Sequence, residues 1–332
     1  METNPLVSVG VPVFNGEESV LDCLNALRNQ SYQNIEIIVG DNASTDGTEG
    51  ICRRFADSDN RCTYYRLDRN RGVSGSFNFV CRQATGQLFL WAAADDLLDP
   101  TFIEQGVRFL EDNPDVVLVC PLTRVWLGDS ESPTYTCTVN GLGRDIKGAR
   151  RIVNSYTRLP MYSIYGIFRK HILNNSGLLN SVLGSDVAFM QEIALRGVIE
   201  TNCEQVLEYR ARVRWNSLAE DRRMFSGGEI SEAPWQLSDL YPGWRLLMDR
   251  VSRIRSLDRS CSYRFLAIGV VWTLEMRRIL FVCLNKVLRT VLRERLHRRC
   301  VLWIYWRFLH SGDVSVAHPD AYAQRVILAK FG

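Results

Sequence analysis

Short apolar runs recur along the N-terminal third of the chain, and polar or turn-forming stretches separate them. Apolar runs of about four to eight residues between turn signals are typical of β-strands. The first two runs are almost continuous in Val and Ile, as expected for strands that helices cover on both faces of a mostly parallel sheet. The predicted strands are residues 7–13, 35–40, 63–67, 88–92 and 116–120.

Helical patterns fill the stretches between these strands. The pair Asp99-Pro100 indicates a helix start, because Asp caps exposed N–H groups and Pro suits the first helical turn. Asn113-Pro114 indicates the end of that helix. The predicted helices are residues 20–27, 51–55, 77–84 and 101–111. Strands that alternate with helices in this way predict an α/β fold with a mostly parallel sheet.

The composition is that of an ordinary globular protein, with 46% hydrophobic and 23% charged residues among 332. These values exclude disordered, collagen-like and fully membrane-embedded chains. The 10 cysteines are scattered without a CxxC pair, and the N-terminus lacks the pattern of a signal peptide. A reduced, cytoplasmic setting is therefore expected, with the cysteines as small buried hydrophobic residues.

Acidic residues follow two of the predicted strands: Asp41 follows the second, and the pair Asp95-Asp96 follows the fourth. The carboxyl ends of parallel strands meet at one edge of the sheet, where open α/β sheets bind their ligands. Taken singly, Asp41 or Ser44 also fits the role of a helix cap. Asp95 and Asp96, however, precede the capping residue Asp99 and place two negative charges side by side. A divalent cation is the natural partner for such a pair.

Four short segments of this half of the chain are informative when they are taken together and in order. They are Val7-Ser8-Val9 with Pro12-Val13-Phe14-Asn15, residues 30–39, residues 41–48, and residues 94–100. As an ordered set they resemble the glycosyltransferases of family 2, and the similarity covers roughly residues 5–215. The resemblance implies the GT-A fold and a nucleotide diphosphate sugar donor, a UDP-sugar by default. It also implies a saccharide or lipid-linked saccharide acceptor, as in cell-surface polysaccharide biosynthesis.

The resemblance assigns roles on the donor side of the site. Pro12 and Phe14 would line the pocket for the nucleotide base, with Asn15 in the same nucleotide-sugar site. Asp41 would accept a hydrogen bond from the base, since a carboxylate can read an imide N–H. Arg71 would approach the base or the diphosphate, and a solvated loop charge is the alternative interpretation of that residue.

Asp95 and Asp96 correspond to the family's acidic motif, in which carboxylate and diphosphate oxygens together hold Mg²⁺ or Mn²⁺. Asp95 would also contact the nucleotide sugar. The sequence departs from the commonest form of this motif, because Ala93 stands where a further aspartate is often found. Which of Asp95 and Asp96 is the main metal ligand therefore stays open.

On the acceptor side, residues 185–197 are similar to a helix of the family that carries the general base near its start, and Asp186 is the matching residue. A carboxylate there would take the proton from the acceptor hydroxyl, and a single displacement would invert the anomeric configuration. The alternative is that Asp186 or Ser185 caps the helix. Arg214 stands where the family often has a histidine, and it would bind the diphosphate.

The C-terminal part of the chain is basic: residues 241–332 hold 17 Lys or Arg against 6 Asp or Glu, although the whole chain carries only +3. Residues 278–296 predict an amphipathic helix with a basic face. The uncharged stretch 265–274 before it is shorter than the roughly 20 residues that cross a bilayer. An interfacial helix on anionic lipid and a helix packed on the catalytic domain or on another subunit both fit this pattern. Nucleic-acid binding is not expected, because no binding motif accompanies the charge.

The chain is therefore expected to hold a nucleotide-sugar-binding half at 1–125 and an acceptor-side half of the same domain at 126–225. Residues 226–332 would form a helical, basic extension that associates with the cytoplasmic face of the membrane or forms an oligomer. A non-catalytic binding protein of the same fold is the alternative function, to which Ala93 and Arg214 point. A dinucleotide-dependent oxidoreductase would need a glycine-rich turn after the first strand, and none is present there.

Overall fold

The computed structural model describes residues 4–127, 133, 135–181, 184–211, 242–291 and 315–316. The N-terminal half alternates strands with helices, as the apolar pattern predicts. Its strands are β1 (Val7–Val13), β2 (Ile35–Asp41), β3 (Cys62–Arg66) and β4 (Leu88–Trp91). Its helices are α1 (Val20–Arg28), α2 (Thr48–Ser58), α3 (Gly72–Gln83) and α4 (Phe102–Asp112). All four strands are parallel in the order β3-β2-β1-β4, which confirms the α/β prediction.

The second half continues the same sheet with both strand directions. Its strands are β5 (Val116–Leu127), β6 (Tyr135–Cys137), β7 (Ile167–Arg169), β8 (Val198–Ala211) and β9 (Ser315–Val316). Its helices are α5 (Gly148–Thr157), a 3-10 helix (Met161–Tyr165), α6 (Lys170–Asn174), α7 (Ser185–Arg196), α8 (Pro242–Arg255) and α9 (Cys261–Val291). β7 lies antiparallel between β4 and β5, and β8 runs parallel to β5.

Two buried clusters cover the two faces of the sheet. In β1 the alternate residues Val9 and Val11 belong to one cluster, which also holds the apolar faces of α1 and α4. Between them Gly10 points to the other face, where an added Cβ would lie 2.7 Å from a methyl carbon of Val80. Glycine at this position lets α3 pack directly on the strand. The other cluster is centred on Trp91, which is fully buried.

A third buried cluster joins α5, α7, α8 and α9, with Leu247, Val251 and Val271 among its members. α9 is one continuous helix of 31 residues that contains the uncharged stretch 265–274. Among the residues that the structure describes, no helix is both long enough and apolar enough to cross a membrane. The basic face predicted for residues 278–296 lies outside the described side chains.

Candidate active site

The carboxyl ends of β1 and β2 are tied together by their following loops. The N–H of Asn15 donates to Ser44 Oγ at 2.9 Å, and Asn15 Oδ1 accepts from the N–H of Thr45 at 2.8 Å. Asn15 has a φ of 50°, in the left-handed region that asparagine tolerates better than most residues. The segment that carries Phe14 and Asn15 is therefore held in place before any ligand arrives.

Pro12 and Phe14 lie at this edge with opposite exposure. Pro12 is buried within β1, whereas the Phe14 side chain is 47% exposed just beyond the strand. A large exposed aromatic ring on an otherwise polar edge can stack on a flat ligand at little entropic cost, because its loop is already ordered. The structure brings Phe14 to the sheet edge where the sequence predicts nucleotide binding.

Asp41 ends β2 and is completely buried. One of its oxygens accepts the Ser44 N–H at 2.8 Å, and the other accepts the Tyr64 hydroxyl at 2.7 Å and Arg66 Nη1 at 2.9 Å. Burial, together with the Asp41 carboxylate, raises the pKa of Tyr64, so that its hydroxyl stays protonated and donates. Three donors thus fix the Asp41 carboxylate, which has about four acceptor positions in all.

Arg66 is a site residue that the sequence analysis missed. It ends β3, donates to Asp41 and to the carbonyl oxygen of Ser44 at 3.0 Å, and forms an ion pair with Glu49 at 3.2 Å. The signal that could have found it is the strand-end rule that singled out Asp41, since β3 is parallel to β2 and ends at the same edge.

Arg71 lies at the start of α3, on a loop that buried Asn42 organises. Asn42 Oδ1 accepts the N–H of Arg71 at 2.8 Å, and its amide group donates to Asn70 Oδ1 at 2.9 Å. The Arg71 guanidinium forms an ion pair with Asp68 at 2.7 Å and is 45% exposed. The backbone of this loop is therefore fixed at the sheet edge, while the charged end of Arg71 lies at the surface.

Asp95 and Asp96 follow β4 with very different surroundings. Asp95 is exposed, whereas Asp96 is only 6% exposed. Burial, and to a lesser extent the neighbouring Asp95 charge, raises the pKa of Asp96 from 3.8 to about 7. Its Oδ2 atom is buried and has no hydrogen-bond partner among the described residues. A buried carboxylate oxygen without a donor is a position that a cation can satisfy.

The described residues contain no group of three or more His, Cys, Asp or Glu side chains arranged to hold a metal ion. Mg²⁺ and similar cations are nevertheless often held by one or two carboxylates together with substrate phosphates. Asp95 and Asp96 match that requirement, because they supply two hard oxygen ligands beside an exposed edge of the sheet. The residues present therefore fit a cation that arrives with a diphosphate.

Two tyrosines are influenced by the charges of this acidic pair and of Asp186 on α7. The rings of Tyr165 and Tyr209 stack with centroids 6.3 Å apart. Burial raises the pKa of both hydroxyls, and the charges of Asp96, Asp95 and Asp186 raise each of them further. The charges of all three predicted carboxylates thus act on one aromatic pair, to which the sequence analysis assigned no role.

Asp186 lies in the first turn of α7 and is partly exposed. The capping position belongs to Gly184, which has the left-handed φ of 80°, so neither Ser185 nor Asp186 is the N-cap residue. Ser185 is instead buried, with its Oγ 3.5 Å from Ser74 Oγ. Arg214, the remaining predicted residue of the nucleotide-sugar site, lies outside the described residues.

Comparison with known families finds a match to Glycosyl transferase family 2 over residues 8–169. An uncharacterised glycosyltransferase of Rickettsia typhi is 35% identical over 119 residues, which are 35% of this chain and 36% of that protein. The chain thus spans about a third of the length of the first curated relatives that it matches. An uncharacterised glycosyltransferase of Haemophilus influenzae is 27% identical over 219 residues, or 63% of this chain and 67% of that protein.

Among solved structures, residues 1–349 of TarS from S. aureus, in complex with UDP-GlcNAc, are similar with a TM-score of 0.57 at 18% identity. The likeness covers 80% of this chain and 71% of that chain. At this level of identity the similarity concerns the fold. It confirms the predicted GT-A fold, with a mostly parallel sheet flanked by helices and further helices at the C-terminal end.

Proposed function

Because the chain belongs to glycosyl transferase family 2, we propose that it transfers a sugar from a nucleotide diphosphate sugar to a saccharide or lipid-linked saccharide. A UDP-sugar is the default donor. The observation that carries the proposal is the buried oxygen of Asp96, which has no hydrogen-bond partner among the described residues and belongs to a residue adjacent to exposed Asp95. The charges of both acids and of Asp186 act on the same tyrosine pair, Tyr165 and Tyr209. We infer that the acidic pair would serve a diphosphate and that Asp186 would serve an acceptor.

On the donor side, the exposed ring of Phe14 would stack on the nucleotide base above buried Pro12. Asp41 would use its remaining acceptor position for an N–H of the base, with Arg66 and Tyr64 holding the carboxylate still. Arg71 would exchange its surface partner Asp68 for the base or the diphosphate, and Arg214 would bind the diphosphate. Residues 1–125 would thus form the donor half of the site.

A divalent cation, Mn²⁺ or Mg²⁺, would be held by Asp95 and Asp96 together with the diphosphate, and it would supply charge neutralisation for the departing nucleotide diphosphate. For Asp96 to bind it, the carboxylate must lose the proton that burial favours. The exposed position of Asp95 leaves it able to contact the cation and the nucleotide sugar from the solvent side.

On the acceptor side, formed by residues 126–225, Asp186 would accept the proton of the attacking hydroxyl. A sugar hydroxyl is a poor nucleophile, and a positioned carboxylate removes its proton as the new bond forms. The hydroxyl oxygen would bond to the anomeric carbon while the bond from that carbon to the diphosphate breaks. Attack from the face opposite the leaving group would invert the anomeric configuration.

The proposal is tested by turnover of a panel of UDP- and GDP-sugars with Mn²⁺, followed as release of the nucleotide diphosphate. We expect turnover of at least one donor by the natural chain and its loss in Asp95→Ala and Asp186→Asn. Turnover in both variants equal to that of the natural chain would refute the assignment.

Ala93, which replaces an acid of the commonest motif, points to a second candidate, a non-catalytic binding protein. That protein would be stabilised by a nucleotide sugar and would turn over none.

We further propose that residues 226–332 associate peripherally with anionic lipid at the cytoplasmic face of the membrane. The basic excess after residue 241 supports this, as does Phe265, which is 75% exposed on α9. Flotation with anionic vesicles at low and high salt is the test. Flotation that salt abolishes is the expected result, and a chain that never floats contradicts the proposal.

A further inference from the structure

Helix α8 contacts the start of α7 and the segment before it at successive positions along its length. Leu246 packs against Gly184, the capping residue of α7, where an added Cβ would lie 3.2 Å from a methyl carbon of Leu246. The next contact is a hydrogen bond from the side-chain amide of Asn180 to Asp249. Arg253, one turn further along α8, reaches Glu192 in the middle of α7. α8 therefore lies along the helix that carries Asp186.

Arg253 is the centre of these contacts. Its side chain is 5% exposed, and its Nη1 donates to Glu192 Oε2 at 2.7 Å. Its Nε lies 3.0 Å from both carboxylate oxygens of Asp249. The Glu192 side chain is completely buried and is also bound by Arg196 of its own helix. One guanidinium thus joins a carboxylate of α7 to a carboxylate of α8 inside the protein.

A second route leads from Asp249 to the residue next to Asp186. Asn180, whose amide donates to Asp249, accepts the Ser74 hydroxyl at its carbonyl oxygen, with a distance of 2.8 Å. The Ser74 hydroxyl also lies 3.5 Å from that of Ser185, the first residue of α7. These contacts connect α8, α3 and the start of α7 through polar groups that are largely buried.

Such a network is poor evidence for stability, because burying charges costs about as much as pairing them returns. What a paired and hydrogen-bonded network does supply is one fixed arrangement of the elements that it joins. Fixed geometry matters most at a general base, because a displacement of about 1 Å can lower a rate by about 100-fold. The network reaches Ser185, the residue next to Asp186, where such a fixed geometry would be needed.

We propose that Asp249 and Arg253 are positioning residues that fix the first turn of α7 and thereby place the Asp186 carboxylate. The role of Asp186 as the base rests on the function proposed above, whereas the mechanical link from α8 to α7 does not. The C-terminal helices are, on this inference, part of the machinery of the site in addition to any part in membrane association.

Asn180→Ala provides the sharpest test. Asn180 is exposed, and its replacement cuts the link to Asp249 while both ion pairs of Arg253 stay in place. We expect backbone amides of residues 187–190 to exchange with deuterium about ten times faster than in the natural chain, because the first turn opens more often. For the donor that the panel identifies, kcat should fall about 10- to 100-fold, while the Kd of UDP with Mn²⁺ changes less than about twofold.

Glu275→Gln is the matched control. Glu275 pairs with Arg250 at 2.5 Å in an equally buried ion pair that joins α8 to α9, and neither partner belongs to α7. This variant should lose thermal stability and keep both the amide exchange of α7 and kcat. Arg253→Lys keeps a positive charge between Glu192 and Asp249, and its kcat should lie between those of the natural chain and Arg253→Met.

Unchanged exchange at residues 187–190 in both Asn180→Ala and Arg253→Met would overturn the inference, and so would equal acceleration in Glu275→Gln. These exchange measurements need no substrate. If the natural chain turns over no donor, the proposed function fails while the exchange data still decide whether α8 fixes the start of α7.

Discussion

The guanidinium of Arg66 donates to the buried carboxylate of Asp41 at 2.9 Å, so that the carboxyl ends of β2 and β3 are joined by an ion pair. This pair lies at the proposed site of the nucleotide base. Neither residue type is unusual in an α/β protein, but an acid with three donors and complete burial is rigid. The two strand ends at the proposed base site are therefore fixed before any nucleotide binds.

Asp41→Asn should weaken UDP binding about tenfold, because hydrogen bonds to a charged acceptor contribute about 1.5 to 3 kcal/mol each. Calorimetric titration with UDP in the presence of Mn²⁺ measures the change. Glu49→Gln is the control, since Glu49 contacts Arg66 at 3.2 Å without being part of the proposed base site. Unaltered affinity in Asp41→Asn would remove Asp41 from the nucleotide site.

The raised pKa of Asp96 predicts how the stability of the cation-depleted protein depends on pH. Below pH 3.8 Asp96 is protonated in both folded and unfolded chains, and its contribution to stability is complete. As the pH rises towards about 7, Asp96 ionises in the unfolded chain but stays protonated in the folded chain, so its contribution to stability is lost. Above about pH 7 Asp96 is ionised in both states, and its contribution changes no further.

Thermal unfolding in EDTA between pH 5 and 8 checks this prediction. The Tm of the natural chain should fall relative to that of Asp96→Asn as the pH rises to about 7, and the difference should then stay constant. Asp57→Asn, which alters an exposed acid on α2, should follow the natural chain throughout. If the plots of Tm against pH for the natural chain and Asp96→Asn are parallel from pH 5 to 8, Asp96 is already ionised in the folded protein at pH 5, which contradicts the prediction.

Asp186→Asn should lower kcat by about 100- to 10,000-fold, the usual contribution of a positioned general base. The Kd of UDP should stay within about twofold, because α7 belongs to the proposed acceptor side of the site. Steady-state kinetics and calorimetry on the same preparation separate the two effects. Asp112→Asn, an exposed acid at the end of α4, serves as the control. A large loss of UDP affinity in Asp186→Asn would place this residue on the donor side instead.

Trp91→Ala should lower the free energy of unfolding by about 3 to 5 kcal/mol, because it leaves a large cavity in the core. Trp91 is fully buried, and its ring lies 4.7 Å from that of Phe89 and 5.4 Å from that of Phe168. Phe265→Ala, at a side chain 75% exposed on α9, should change stability by less than about 0.5 kcal/mol. Denaturant unfolding of both variants provides the comparison, and equal losses would contradict the assigned core.

The strands of the donor half could be predicted because a strand covered on both faces must be apolar almost throughout, as β1 and β2 are. The predicted end of the fifth strand at residue 120 was wrong. β5 continues to Leu127, because a register shift between Pro121 and Leu122 lets the strand pass a residue that lacks an N–H. A local apolar pattern contains no sign of that irregularity.

α3 also begins earlier than predicted, at Gly72 instead of residue 77. Its first turns contain Ser and Gly, which favour helices poorly, and contacts distant in sequence hold them. The hydroxyl of Ser74, in the first turn, donates to the carbonyl oxygen of Asn180 at 2.8 Å. Contacts over such separations cannot be read from a local pattern.

The same limit applies to the candidate site. The acids at strand ends could be predicted from position, because parallel strands bring their carboxyl ends to one edge. Tyr165, Tyr209 and Arg253 could not, because each contacts a residue that is far away in the sequence. A buried arginine in a basic C-terminal region has the same local pattern as a solvated one, so its pairing with Glu192 was invisible before the fold was known.

The most direct test of the central claim is the effect of Mn²⁺ on UDP affinity in the natural chain and in Asp96→Asn. Mn²⁺ should tighten UDP binding at least about tenfold in the natural chain, because the cation would join the diphosphate to Asp95 and Asp96. In Asp96→Asn the same titration should show little or no effect of Mn²⁺. UDP binding that is equally tight with Mn²⁺ and with EDTA in both proteins would contradict the claim that this acidic pair serves a nucleotide diphosphate.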